Sequence, residues 1–286
     1  MSKEKEEIIN MKRILTIQDI SCVGKCSLTV ALPIISAMGV EAAVMPTAVL
    51  STHTQFKGFT FRDLTEDMNP ITDHWKEQKI GFDAIYTGYL GSFDQLNICE
   101  KIFTDFKTGE NIIFVDPVMG DNGKLYTGFT PEFARAMGKL CGIADVIVPN
   151  MTEASYMLGI PYRETYDRAY VEDVLKKLAE LGAKTTVITG TELEEGKTGF
   201  IGYDSKNGTF FDYFHEKLPV SFHGTGDIYA SCAVGALMRG LSMRDSLALA
   251  ADYTYDCIRE TMNDKDARWY GVNFESAIPA LLKKLG

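Results

Sequence analysis

Short apolar runs alternate along this chain with longer stretches in which apolar residues recur at every third or fourth position. The short runs, bounded by turn formers, read as buried strands, and the longer period reads as helices. Strands are predicted at Arg13 to Gln18, Val40 to Met45, Ala84 to Thr87, Asn111 to Val115, Val146 to Val148 and Thr185 to Thr189. Helical spacing covers Leu28 to Met38, Asp63 to Lys79, Gln95 to Phe106, Phe129 to Leu140, Glu153 to Leu158 and Tyr170 to Leu181. Two later β runs, Gly199 to Tyr203 and Thr209 to Phe214, flank Asn207-Gly208, a hairpin signal. Further helices are predicted from Asp227, Met243 and Phe274. This alternation predicts an α/β fold of three layers, α/β/α, with a mostly parallel sheet, helices on both faces and a late antiparallel hairpin at the edge. No repeat or shift in composition divides the chain. Residues 12–286 read as one domain, and the charged residues 1–11 as a solvated extension.

Composition narrows the functional classes. The 286 residues are 45% hydrophobic and 24% charged, as in an ordinary globular protein. Lys plus Arg number 29 against 39 Asp plus Glu, a net charge of −10. A nucleic-acid binder needs a basic footprint, so no nucleic-acid partner is expected. No apolar run spans a bilayer and no signal peptide is evident, which points away from the membrane and to the cytoplasm. The six cysteines form no CxxC pair and read as free thiols in a reducing compartment.

The chemistry gathers where strands end. His223-Gly224-Thr225-Gly226-Asp227 leads into an apolar helix. The first turn of a helix has unpaired N–H groups and the positive end of the dipole, and glycines let an anion approach them. Gly224, Thr225 and Gly226 are therefore a candidate anion hole. Asp227 is a candidate base for a hydroxyl attacking a phosphoryl group. Its plain alternative is an acidic cap on a core helix. Asp116-Pro117-Val118-Met119-Gly120-Asp121 and Pro149-Asn150-Met151-Thr152-Glu153 follow two successive strands. Asp116 and Glu153 could hold a hydrated Mg²⁺, through water, against phosphate oxygens, with Asn150 beside them. Asn150 and Glu153 read equally as a helix cap. Val23-Gly24-Lys25-Cys26-Ser27 is only a fragment of a P-loop, because Asp19 stands where its first glycine belongs.

Gly224-Thr225-Gly226-Asp227, Asp116 to Asp121 and Pro149-Asn150-x-x-Glu153 together resemble the ribokinase superfamily in its vitamin-kinase branch. With Ser51-Thr52-His53-Thr54-Gln55 and Thr87-Gly88-Tyr89-Leu90-Gly91-Ser92, the chain is most similar to the pyridoxal kinase family, from about Lys12 to the C-terminus. The resemblance implies an ATP-dependent kinase with Mg²⁺ that phosphorylates the 5′-hydroxymethyl group of a B6 vitamer: pyridoxal, pyridoxine or pyridoxamine. It leaves a role for a monovalent cation such as K⁺ open, and by analogy implies a homodimer. It makes Asp227 the base and places Asp116, Asn150, Glu153, Thr189, Thr191 and Tyr126 around the nucleotide. His53, Thr54 and Tyr89 would line the ring pocket, and residues 120–128 would form a lid over ATP. His53 can also be read as a loop histidine bonded to backbone. One departure stands out. The family usually has serine after the first-strand glutamine, whereas here Asp19 follows Gln18. A carboxylate there could pair with a ring nitrogen proton or an amine, favouring acceptance of pyridoxamine or pyridoxine beside pyridoxal, or it could merely cap the next turn. The rival readings are a hydroxymethylpyrimidine kinase of thiamine synthesis, a sugar kinase, which would carry an early Gly-Gly pair, and a silent vitamin-binding protein.

Overall fold

The structure is a computed structural model describing residues 11–286; of the expected extension, residues 1–10 lie outside it, and Met11 is exposed. Six parallel strands make the centre of a nine-stranded sheet: β1 (Arg13–Ser21), β2 (Glu41–Leu50), β4 (Ala84–Thr87), β5 (Ile112–Val115), β8 (Val146–Ile147) and β9 (Thr185–Thr191). They lie in the order β2-β1-β4-β5-β8-β9. The predicted late hairpin, β10 (Lys197–Asp204) and β11 (Thr209–Glu216), adds antiparallel to β9. The other edge is closed by β3 (Phe61–Asp63), antiparallel to β2 and too short to have shown in the sequence pattern.

Alternation within the buried strands divides the core into two halves. Leu15, Ile17, Ile85, Ile113, Val115 and Ile147 face α2 (Thr65–Glu77), α3 (Phe93–Phe106), α4 (Pro131–Cys141), α5 (Met151–Leu158) and α6 (Arg168–Glu180). Ile14, Ala84, Tyr86, Phe114, Val146 and Val187 face α1 (Leu28–Ala37), α7 (Thr225–Met238), α8 (Met243–Asn263) and α9 (Phe274–Leu285). Each fully buried side chain of this size contributes roughly 1.5–3 kcal/mol, so both faces are strongly specified. The three expected layers are present.

Two departures bear on the site. The segment expected as a lid, 120–128, contains its own hairpin, β6 (Gly120–Asp121) and β7 (Lys124–Leu125). Its central pair, Asn122 and Gly123, has φ of 50° and 75°, the backbone of a type I′ turn. Asn207-Gly208, by contrast, ends a four-residue connection from Ser205 to Gly208, in which only Gly208 has positive φ. There the Asp204 carboxylate accepts the Lys206 and Asn207 N–H groups and makes the turn itself.

Candidate active site

Residues beyond the carboxyl ends of the parallel strands form the site, where α/β sheets hold their ligands. The tip of α7 is its centre. Gly224 is the N-cap, with φ 84° and no side-chain cap. A Cβ there would collide with the Lys25 carbonyl oxygen, so the β1–α1 loop packs directly on the tip. Helical pairing starts with Ile228 N–H to Gly224 C=O at 3.1 Å, which leaves the Thr225, Gly226 and Asp227 N–H groups without intrahelical acceptors. Thr225 is half-buried, its hydroxyl donating to Phe222 C=O at 3.2 Å, and Gly226 is exposed. α7 is held against α1 by close approach: a Cβ on Gly235 would lie 2.6 Å from Met38 Sδ.

Asp227 is 9% exposed, and its Oδ2 accepts the Ser27 N–H at 3.0 Å. Burial pushes its pKa up to about 7, helped by the negative charge of Asp19 and opposed by the Ser27 N–H. Asp116 follows β5 and is 6% exposed. Its Oδ2 lies 4.0 Å from where a Gly226 Cβ would stand. Burial, then Glu153 and Asp227, raise the Asp116 pKa well above the ordinary carboxylate range.

Asn150 and Glu153 make the capping box of α5, so the cap reading holds for both residues. Glu153 Oε2 accepts the Asn150 N–H at 2.9 Å and Oε1 the Met119 N–H at 3.1 Å, which ties the turn after Asp116 to the helix tip. Burial raises Glu153 to about 8 against these N–H bonds. Asn150 Nδ2 donates to Gly120 C=O at 2.8 Å and so anchors the hairpin. Tyr126, just beyond β7, is 46% exposed. Burial first, and then the charges of Glu153, Asp121, Asp116 and Asp227, raise the pKa of its phenol.

The ring-pocket candidates gather on the other side of Asp227. Asp19 lies inside β1, where the register with β2 shifts between Gln18 and Ile20. It is 5% exposed and accepts the Ser21 hydroxyl at 2.9 Å, so it caps no turn. Its negative charge is a lesser influence, behind burial, on Tyr89, His53 and Asp227. Tyr89 is half-buried after β4, and Thr54 is exposed. Both His53 ring nitrogens are engaged: Nδ1 accepts the Gln55 N–H at 3.2 Å, and Nε2 pairs with Tyr270 C=O at 2.9 Å, which makes Nε2 the protonated one. His53 is thus bonded to backbone and offers only its ring face. Thr189 is half-buried, its hydroxyl 3.4 Å from Pro149 C=O. Thr191, expected just past a strand, is inside β9 and fully buried, with its hydroxyl donated to Ile188 C=O at 2.9 Å.

Two clefts elsewhere are not this site. One is bounded by Arg168, Glu194, Lys197 and Asp212, the other by Lys12, Asp83, Glu110 and Asn111 at the amino ends of the strands.

The comparisons fit this geometry. The model of the phosphomethylpyrimidine kinase family matches residues 32–269. The chain belongs to that family. The chain is also similar to proteins named for B6 substrates. A pyridoxine kinase of Bacillus subtilis is 30% identical over 187 residues, 64% of this chain and 66% of that one. A Bacteroides thetaiotaomicron protein assigned to the phosphomethylpyrimidine kinases, solved with pyridoxal, superposes with a TM-score of 0.90 at 38% identity, covering 95% of this chain and 96% of its own. The pyridoxal kinase of Lactobacillus plantarum superposes at 0.87 with 33% identity over 96% and 97%. The ribokinase-like fold and the pyridoxal kinase branch expected from the motifs are therefore shown.

Three further groups lie beside these residues, and the sequence reading assigned no site role to any of them. Gln18 is fully buried, with its carbonyl oxygen unpartnered beside Gly88. Phe56, Trp269 and Tyr270 form an aromatic wall with His53, the Phe56 and Trp269 rings 4.5 Å apart. Ser27 reaches Asp227 across 200 positions. Nothing in the sequence tied Phe56, Trp269 or Tyr270 to residue 53, or Ser27 to Asp227.

Proposed function

We propose that this chain transfers the γ-phosphoryl group of ATP to the 5′-hydroxymethyl group of a B6 vitamer, with Asp227 receiving the hydroxyl proton. The chain is a kinase with an alcohol acceptor, as its family and its pyridoxal and pyridoxine kinase relatives indicate. The observation that carries the residue roles is Asp227 itself. It lies in the first turn of a helix whose Thr225, Gly226 and Asp227 N–H groups lack intrahelical acceptors, it is 9% exposed, and burial brings its pKa to about 7, matched to proton transfer near neutrality. The N–H groups at Gly224, Thr225 and Gly226 would bind the transferring phosphoryl group, where fixed dipoles cost no reorganisation.

Asp116 and Glu153 suit a hydrated Mg²⁺. The Asp116 carboxylate accepts none of the protein's described hydrogen bonds, and no lysine or arginine among the described residues pairs with either acid. No three-ligand cage exists among the described residues, as expected for an ion shared with phosphates and water. When bound, Mg²⁺ would neutralise phosphate charge. Asn150, Thr189 and Tyr126 would border the nucleotide, and Thr191 only through its main chain. Asp19, Tyr89, Thr54 and the His53 ring face would line the vitamer pocket. A homodimer and a cytoplasmic location belong to the same proposal, the latter supported by five buried free thiols.

Hydroxymethylpyrimidine is the second candidate acceptor, because the family model is named for phosphomethylpyrimidine, its phosphorylated form. An ATP-consumption assay with pyridoxal, pyridoxine, pyridoxamine and hydroxymethylpyrimidine separates the readings. The three vitamers are expected to turn over; activity with hydroxymethylpyrimidine alone would reverse the assignment. Asp227→Ala is expected to lose about 10²- to 10⁴-fold in turnover while the protein remains folded. Near-normal turnover would remove Asp227 from the role of base.

A further inference from the structure

The P-loop fragment Val23 to Ser27 has a lysine at its centre, and the functional reading leaves that lysine without a role. In the fold the stretch lies in the β1–α1 connection, and the Lys25 amine is already engaged. Its Nζ donates to Glu275 Oε2 at 2.8 Å and to Asn273 Oδ1 at 3.3 Å. The Phe274 ring lies 5.7 Å from the same amine. Asn273 is the N-cap of α9, yet its side chain caps none of the helix N–H groups. It is tied instead to the end of α8. Its N–H donates to the Thr261 hydroxyl and its Nδ2 to Asp264 Oδ2, both at 2.7 Å. The Lys25 amine therefore has a fixed footing at the start of α9.

The Lys25 main chain, by contrast, meets the site. Its carbonyl oxygen packs on Gly224, where it leaves no room for a Cβ. A Cβ on Gly271 would lie 2.7 Å from Lys25 Cβ, so the α8–α9 connection packs on the same residue. A Cβ on the neighbouring Gly24 would lie 2.5 Å from His53 Cδ2. Lys25 itself has a φ of 52°, uncommon for a residue with a Cβ and kept only where the surroundings impose it. We propose that Lys25 is a positioning residue: a strut that ties the first residue of the anion hole to α9, and not a ligand of the phosphates. Its amine is taken up by Glu275 and Asn273, and its carbonyl sets where Gly224 stands, and with it the free N–H groups of α7. This rests on reading the α7 tip as the phosphoryl-binding group. Oriented N–H dipoles favour the transition state only while they are held in place. Releasing the strut must then lower turnover and spare substrate binding.

The test is a double-mutant cycle with steady-state kinetics on the intact protein, with ATP and each vitamer. Lys25→Met removes the charge and keeps the length of the side chain. A displacement of about 1 Å in an aligned site can cost about 100-fold in rate. Lys25→Met is therefore expected to lower kcat by about ten-fold or more, with the KM for ATP and for vitamer within about two-fold of the wild type. The Glu275 side chain is 55% exposed, so Glu275→Ala leaves the fold intact. It is expected to show the same loss in kcat alone, smaller because Asn273 remains. The double variant is expected to be no worse than Lys25→Met, since both changes break one contact. Should Lys25→Met not fold, Glu275→Ala decides alone. A lysine that met the phosphates itself would behave in the opposite way. Lys25→Met would then raise the KM for ATP, and Glu275→Ala would free the amine and keep or raise turnover. Either of those results, additive losses in the cycle, or an unchanged kcat in either single variant overturns the proposal. A wild-type protein inactive on every vitamer would instead overturn the functional reading on which it rests.

Discussion

The two glycines of the α7 tip have different jobs, and single substitutions separate them. At Gly224 both the positive φ and the Lys25 carbonyl forbid a side chain, so Gly224→Ala is expected to lower the melting temperature and the activity together. Gly226 has ordinary φ, and the nearest atom to an added Cβ is Asp116 Oδ2 at 4.0 Å. Alanine is also the better helix former by about 1 kcal/mol. Gly226→Ala is therefore expected to keep or raise stability while cutting turnover by at least about ten-fold, because its methyl occupies phosphoryl space. Thermal melts and vitamer phosphorylation of both variants check this. Full activity in a stable Gly226→Ala protein would empty the proposed anion hole of meaning.

Among the elements, α5 and the β6–β7 hairpin form one unit, joined by Asn150. Its Oδ1 accepts the Glu153 N–H at 3.0 Å, and its Nδ2 holds Gly120 C=O. Asn150→Ala is expected to cost about 1–2 kcal/mol from the lost cap and to free the hairpin, read as faster proteolytic cleavage between residues 121 and 126. Cleavage at the wild-type rate would show that the tether does not restrain the hairpin. This unit also shows what the sequence could reveal. The Asn150 to Glu153 spacing was legible because a capping box is local. The hairpin was not, since two-residue strands carry no periodicity, although Asn122-Gly123 was as good a turn signal as Asn207-Gly208 and was the one that formed a type I′ turn. The place of Asp227 in the first turn of a helix was legible from the glycines beside it. Ser27, Gln18 and the aromatic wall at residues 269–270 were not, because each acquires its role only through contacts that the topology creates.

On the scale of the molecule, Asp116, Glu153 and Asp227 make folding depend on pH in an unusual direction. Their ordinary values are 3.8, 4.5 and 3.8; in the fold, burial takes Glu153 to about 8, Asp227 to about 7 and Asp116 well upward. The folded state therefore binds more protons than the unfolded chain between these limits, and stability must fall as pH rises through the folded values. His53 and His223 act in the opposite sense, since burial lowers both, His223 to about 4, but their contribution is nearly complete once pH passes the ordinary histidine value of 6.5. The melting temperature of the ligand-free protein is thus expected to decline from about pH 6.5 to 8. On the proposed function, Mg²⁺ would stabilise by binding the fold in preference to the unfolded chain, and it would compete with protons for the same carboxylates. Its effect on the melting temperature should consequently be larger at pH 8 than at pH 6.5, and Asp116→Asn should weaken both the decline and the Mg²⁺ shift. A melting temperature that rises across this window, or a Mg²⁺ shift indifferent to pH and to Asp116, would mean that the buried acids are already compensated and that the ion binds elsewhere.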